Sequence, residues 1–178
     1  MKIKLPILES SFFLLLFCTI SPSQAQVNST PDTSSHNKIV LSISGEVNQP
    51  LHLTLTALQA LPEHSITVKD KNGAPHQYTG VYVQDVLSKA GVTTGHELSG
   101  ENLSKYVLAS CADGYQVVYS LAELDSSFVQ NLPIIAYKID GQPLFKNKGP
   151  LRMVMPEDKK PARSCFQLQT LSVHFAQQ

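Results

Sequence analysis

The sequence predicts an α+β domain made mostly of mixed or antiparallel β-sheet with short helices. Short apolar runs alternating with period two, each closed by Gly, Asn, Asp or Pro, fill the chain from Lys38 onward. Helical spacing occurs only in brief runs, and no regular strand–helix–strand alternation is present to build a parallel sheet.

The elements follow in order. "KIVLSISGEV" alternates and breaks at Gly45, so it reads as a strand. "LTLTALQALP" begins as a strand and then spaces Leu55, Leu58 and Leu61 for a short helix that Pro62 closes. "SITVKDKNGAPHQYTGV" has two alternating arms around Lys71-Asn72-Gly73, the outline of a hairpin. "VYVQDVLSKAGV" puts Val83, Val86, Leu87 and Ala90 on one helical face, with Gly91 as the stop.

"KYVLAS" and "YQVVYS" read as strands, and "SLAEL" as a helical turn with Ser120 and Glu123 spaced as a capping box. "LPIIAYKIDGQPL" is a strand running into an Asp-Gly turn, and "GPLRMVMP" is a strand ended by Pro156. "EDKKPAR" is a charged loop, and "SCFQLQTLSVHF" is the closing strand.

Upstream of the domain the pattern changes. Lys2 and Lys4 precede an apolar stretch from Ser11 to Ile20, and Ser23-Gln24-Ala25 has the small-x-small form of a cleavage site. Residues 1–25 are therefore expected to be a secretory signal peptide, too short in its apolar core to span a bilayer. Residues 26–37 are polar and aperiodic, a flexible leader, and residues 38–178 form one domain. The expected location is the periplasm, with no direct membrane insertion.

Without Met1–Ala25 the 14 basic and 14 acidic residues fall to 12 and 13. That near-neutral balance gives no electrostatic footprint for nucleic acid. Nucleophile elbow, phosphate loop, dinucleotide glycine motif and HExxH are all absent, and the six histidines are scattered.

Two cysteines remain beyond the signal peptide, Cys111 and Cys165. An isolated pair in an exported chain is a disulfide candidate on compartment alone. Cys111 has three readings: an inert buried thiol, a partner of Cys165, or a soft thiolate ligand for a metal such as molybdenum. "KKPARS" is either a solvated loop or a cationic pocket in which Arg163 and Ser164 hold a phosphate or polar heterocycle. Arg152 faces that pocket or solvent.

The order of these signals is more specific than any one of them. "SGEVNQPLHLTLTALQALP", "YTGVYVQDVLSKAG", "ASCADGYQVVYSLAEL", "DGQPLFKNKGPLRMVMPED" and "ARSCFQLQTLSV" together resemble the sulfite-oxidase-type, molybdopterin-binding oxidoreductase domain. The resemblance runs from about Ser44 to Val173. It implies a site in which Tyr78, Cys111, Asp113, Tyr115, Arg152, Arg163 and Ser164 surround a pterin or molybdopterin, with Cys111 on molybdenum if the metal is bound. It also implies that Cys111 and Cys165 lie close enough to bridge, because the family sets both segments beside one pocket.

The departures are equally informative. Catalytic members carry a basic residue soon after Arg-Ser and arginines after Cys-Ala. Here Cys165-Phe166-Gln167 and Asp113-Gly114-Tyr115 stand in those places. The chain is similar in this respect to small stand-alone exported members with reduced catalytic equipment. Two functions follow as expectations: a pterin-binding module acting through a membrane or periplasmic partner, or a molybdopterin-dependent oxidoreductase fed by a redox partner.

Overall fold

The computed structural model of the chain describes residues 38–176. The signal peptide and leader expected over residues 1–37 lie outside the described residues. Among the described residues there are ten strands, organised as two sheets, and two short α-helices. Among the described residues, no helix is long and apolar enough to cross a membrane.

The first sheet has β1 (Ile39–Gly45), β2 (Leu51–Thr54), β5 (Lys105–Cys111), β6 (Gln116–Ser120) and β10 (Leu168–Phe175), in the order β2-β1-β10-β5-β6. All neighbours are antiparallel except β1 and β10, which run parallel with Ser42 opposite Thr170 and Gly45 opposite Val173. The second sheet has β3 (His64–Lys69), β4 (Pro75–Tyr82), β7 (Ile134–Ile139) and β8 (Gln142–Pro143) in that order, with β9 (Arg152–Val154) on the free side of β7. The expected class, α+β on mixed sheet with short helices, is the observed one.

Alternation explains why these segments are strands. In β10 Leu168, Leu171 and Val173 are fully buried, and in β5 Val107, Ala109 and Cys111 are buried while their neighbours are half-exposed. Helix α1 (Leu55–Gln59) starts where the Thr54 hydroxyl accepts the Ala57 N–H at 3.1 Å. Of its three spaced leucines only Leu58 is fully buried. Helix α2 (Val83–Lys89) buries Val83, Val86 and Leu87 as its spacing predicts.

Three local expectations shift. "SLAEL" forms only a 3-10 turn at Ala122–Leu124, although its capping box is made: the Ser120 N–H donates to Glu123 Oε1 at 2.7 Å, and the Glu123 N–H to Ser120 Oγ at 3.3 Å. The strand expected across "GPLRMVMP" is confined to Arg152–Val154. The closing strand begins at Leu168, because Gln167 adopts φ +54° and breaks the extended run after Phe166.

Candidate functional site

Strand β5 ends at Cys111, and the next four residues turn back into β6. The Cys111 N–H donates to the Tyr115 carbonyl and the Gly114 N–H to the Cys111 carbonyl, both at 3.0 Å. The turn needs a positive φ, and Gly114 supplies it at +84°. Asp113 caps this turn by accepting the Tyr115 N–H at 3.0 Å. The exposed Tyr115 ring sends its hydroxyl to the Ala162 carbonyl at 3.0 Å, tying this turn to the 3-10 turn at Pro161–Arg163.

Beneath that contact the second cysteine arrives. Cys165 is fixed by its own N–H on the Arg163 carbonyl (3.0 Å) and by the Met153 N–H on its carbonyl (2.9 Å). Cys111 and Cys165 are both buried, 7 % and 3 % exposed, and both are free thiols. Both belong to one buried apolar cluster with Tyr119, and Cys165 is among the neighbours that act on the Cys111 thiol and on the Tyr119 hydroxyl. The closeness expected from the family resemblance is therefore present, without a bridge. Burial, and then the neighbouring Cys165 and Asp113, push the Cys111 thiol far above its ordinary range. Burial followed by Cys165 does the same to Tyr119, whose hydroxyl donates to the Arg163 carbonyl.

Arg163 departs from its expected place. Its guanidinium turns to Asp158, with Nε to Oδ2 at 3.0 Å and Nη2 to Oδ1 at 2.7 Å, and to Glu123 Oε2 through Nη1 at 2.5 Å. Those two carboxylates raise its pKa, Asp158 first. Forked pairing of this kind satisfies a guanidinium and leaves little charge for a ligand. Ser164 is committed as well: its Oγ accepts the Met155 N–H at 3.0 Å inside the domain. Lys159 and Lys160 are exposed.

Arg152 has the reverse character. It is 7 % exposed, and among the described residues no carboxylate is in ion-pair contact with it. Its guanidinium lies 4.7 Å from the centre of the Tyr78 ring and 4.1 Å from that of Phe166. Nε reaches the Ser164 carbonyl at 3.5 Å, and Nη1 donates to the Tyr78 hydroxyl. Burial lowers its pKa, while Tyr78 and Cys165 act against that shift.

The seven candidate residues thus gather around the Pro161–Cys165 segment, but they do not line one common pocket. Arg163 borders a small concavity of about 60 Å³ with Glu123, Met155 and Asp158. A larger cleft of about 590 Å³, which shares no lining residue with the first, opens between the start of β1, the start of β10 and the Leu144–Pro150 loop. Its polar lining comes from Lys38, Ser42, Lys146, Gln167, Gln169 and Thr170, and Ala112 brings it within one residue of Cys111. The Ala112 N–H donates to the Gln167 carbonyl at 2.9 Å, closing the wall between the cleft and the thiols.

Sequence reasoning missed this cleft, the two carboxylates on Arg163 and the aromatic sandwich on Arg152. Only the position of Gln167, two residues past Cys165, was a usable signal for the first. Of the others, Glu123 with Arg163 and Tyr78 with Arg152 pair residues far apart in the chain.

A fold of two such sheets, with a strand-end cysteine against an Ala-Arg-Ser segment, defines a class. The sequence model of the oxidoreductase molybdopterin binding domain matches residues 27–159, and the chain belongs to that family. The crystal structure of the sulfane dehydrogenase SoxCD from Paracoccus pantotrophus has the same fold, with a TM-score of 0.62 at 17 % identity. The match covers 79 % of this chain and 39 % of that one, so the chain spans about two fifths of its structural neighbour. No curated protein matches the sequence.

The residues present fit a molybdenum centre poorly. The Cys111 sulfur that would ligate the metal is 7 % exposed and shares its buried cluster with the second free thiol, Cys165. Arg163, the cation expected on the cofactor, is already neutralised by Asp158 and Glu123. Among the described residues, no group of three or more His, Cys, Asp or Glu side chains is arranged to hold a metal.

Proposed function

We propose that the protein is a periplasmic ligand-binding member of the molybdopterin-binding domain family, which holds a pterin-type heterocycle without redox chemistry and acts through a membrane or periplasmic partner. The observation that carries this reading is the pairing of Arg163 with Asp158 and Glu123, which takes up the cation expected on the cofactor, next to a Cys111 that is buried with Cys165. The ligand's place is the cleft beside Ala112, whose volume of about 590 Å³ suits a small-molecule site. Gln167, Gln169, Ser42 and Thr170 offer it amide and hydroxyl groups for a heterocycle edge, and the exposed Lys38 and Lys146 suit an anionic tail.

The competing reading, an oxidoreductase with Cys111 on molybdenum, is favoured by one feature: the Cys-Ala pair at the end of β5. Elemental analysis of protein purified from its native export compartment separates the two. The expected result is no stoichiometric molybdenum, a chain beginning at Gln26, and quenching of the fluorescence of added pterin-6-carboxylate. Replacing both Lys38 and Lys146 by Ala should weaken that binding about tenfold, since each charge-assisted contact contributes roughly 1.5–3 kcal/mol before solvent screening. Stoichiometric molybdenum, or no pterin quenching, would overturn the reading.

A further inference from the structure

We propose that Cys111 and Cys165 are a modification site: on export they are oxidised to an intrachain disulfide that staples the turn after β5 to the Arg163–Ser164 segment. The proposal rests on the export reading given above, and it does not depend on the identity of the ligand.

The backbone makes the pairing close. Cys111 sits opposite Leu168 in the β5–β10 ladder, and Cys165 lies three residues before Leu168. The intervening chain is pinned on both sides, by Ala112 to the Gln167 carbonyl and by Leu168 to the Leu151 carbonyl at 3.1 Å. Cys165 is held in turn by Arg163 and Met153. Both thiols belong to one buried apolar cluster. A disulfide needs two Cα atoms within about 7 Å and side chains that converge. Two neighbouring thiols on backbones fixed by the Cys111–Leu168 register and the Ala112–Gln167 and Met153–Cys165 bonds come close to that requirement.

In the reaction two S–H bonds are lost and one S–S bond forms. The two electrons and two protons pass to a disulfide oxidant, whose own S–S bond becomes two thiols. Exchange proceeds through a thiolate; burial opposes ionisation of Cys111, and neither cysteine is exposed enough in the folded protein to meet an oxidant. The bond therefore forms while the chain folds, before the Tyr115–Ala162 contact closes over it. Once made it is shielded, and the Cys111 sulfur can no longer serve as a metal thiolate.

The test uses the full mature chain, refolded from the reduced, denatured state in a buffer of oxidised and reduced glutathione, then alkylated under denaturing conditions and weighed. The expected product carries no alkyl group without reduction and two after it. Protein taken from the export compartment should give the same result, and protein made in a reducing cytoplasm should take up two alkyl groups directly. The bridged form should unfold with an equilibrium constant lower by about a thousandfold than the reduced form, as expected for a loop of about 55 residues closed without strain. The Cys165→Val variant, which keeps an apolar side chain at the site, should fold and show one alkylatable thiol. Two alkylatable thiols after refolding in the glutathione buffer would overturn the proposal, whatever the outcome of the pterin titration. So would two alkylatable thiols in exported protein that does bridge in vitro.

Discussion

His76 sits at a place where charge and turn geometry meet. Its Nδ1 is 2.7 Å from Asp140 Oδ2, and its Nε2 is 3.7 Å from Asp70 Oδ2. Asp140 adopts φ +50° in the Asp-Gly turn and accepts the Gln77 N–H at 2.9 Å. The hydrogen bond to Asp140 raises the His76 pKa, and the same bond lowers that of Asp140. A raised histidine stabilises the fold below its unfolded pKa of about 6.5, and loses that contribution as pH climbs through the folded value. A lowered aspartate contributes above its unfolded pKa of about 3.9, and loses its part as pH falls through the folded value. The pair should thus stabilise the protein fully between about pH 4 and 6.5. The groups are solvent-exposed, so the effect is small. Thermal midpoints of the protein and its His76→Gln variant, followed across pH, should differ most in that window and converge at alkaline pH. A difference that stays constant from pH 4 to 9 would show that His76 contributes by packing alone.

At the scale of elements, steric fit is more exacting than pattern. Gly80 lies in β4 at the irregularity where the register with β7 shifts, and a Cβ there would meet the Ile135 carbonyl at 2.0 Å and the Ala136 Cα at 2.6 Å. Backbone atoms on a paired strand cannot move aside cheaply. Gly80→Ala should lower stability by roughly 1–3 kcal/mol or more, measured as a reduced denaturant midpoint with an unchanged slope. A midpoint within error of the parent would mean that β4 and β7 separate freely there. The sequence announced Gly80 only as part of an aromatic-x-Gly-Val pattern. What it did make legible were elements with local causes: the alternation of β5 and β10, the apolar face of α2, the Asn-Gly and Asp-Gly turns, and the Ser120–Glu123 capping box. The Ala-Arg-Ser segment was legible as a landmark but its chemistry was not. Asp158 lies five residues from Arg163 and Glu123 forty, and only folding reveals that both reach the guanidinium.

For the molecule as a whole, the hidden feature was the connection between its ends. Nothing local in "LQTLSVHF" says that this strand will enter between β1 and β5, parallel to the first and antiparallel to the second. Its pairing with β1 joins Ser42 to Thr170, more than a hundred positions apart, where the entropy of loop closure must be offset by tertiary pairing and burial. The same arrangement yields a prediction about truncation. The family match ends at residue 159, before β10 begins, yet β10 is the central strand of its sheet. A chain ending at residue 159 would lose Leu168, Leu171 and Val173, each fully buried, and would uncover Leu41 and Ile43 on one side and Val107 and Ala109 on the other. At roughly 1.5–3 kcal/mol for each large side chain, the three lost residues alone remove about 5–9 kcal/mol, comparable to the whole stability of a typical domain. Strand β1, with β2 behind it, would also have no partner on its other edge. The truncated chain should therefore show no cooperative thermal transition, poor amide dispersion in its NMR spectrum, and rapid proteolysis throughout. A cooperative transition in that fragment would mean that β1 can pair directly with β5, and that β10 is an accessory strand instead of the element joining the two halves of the sheet.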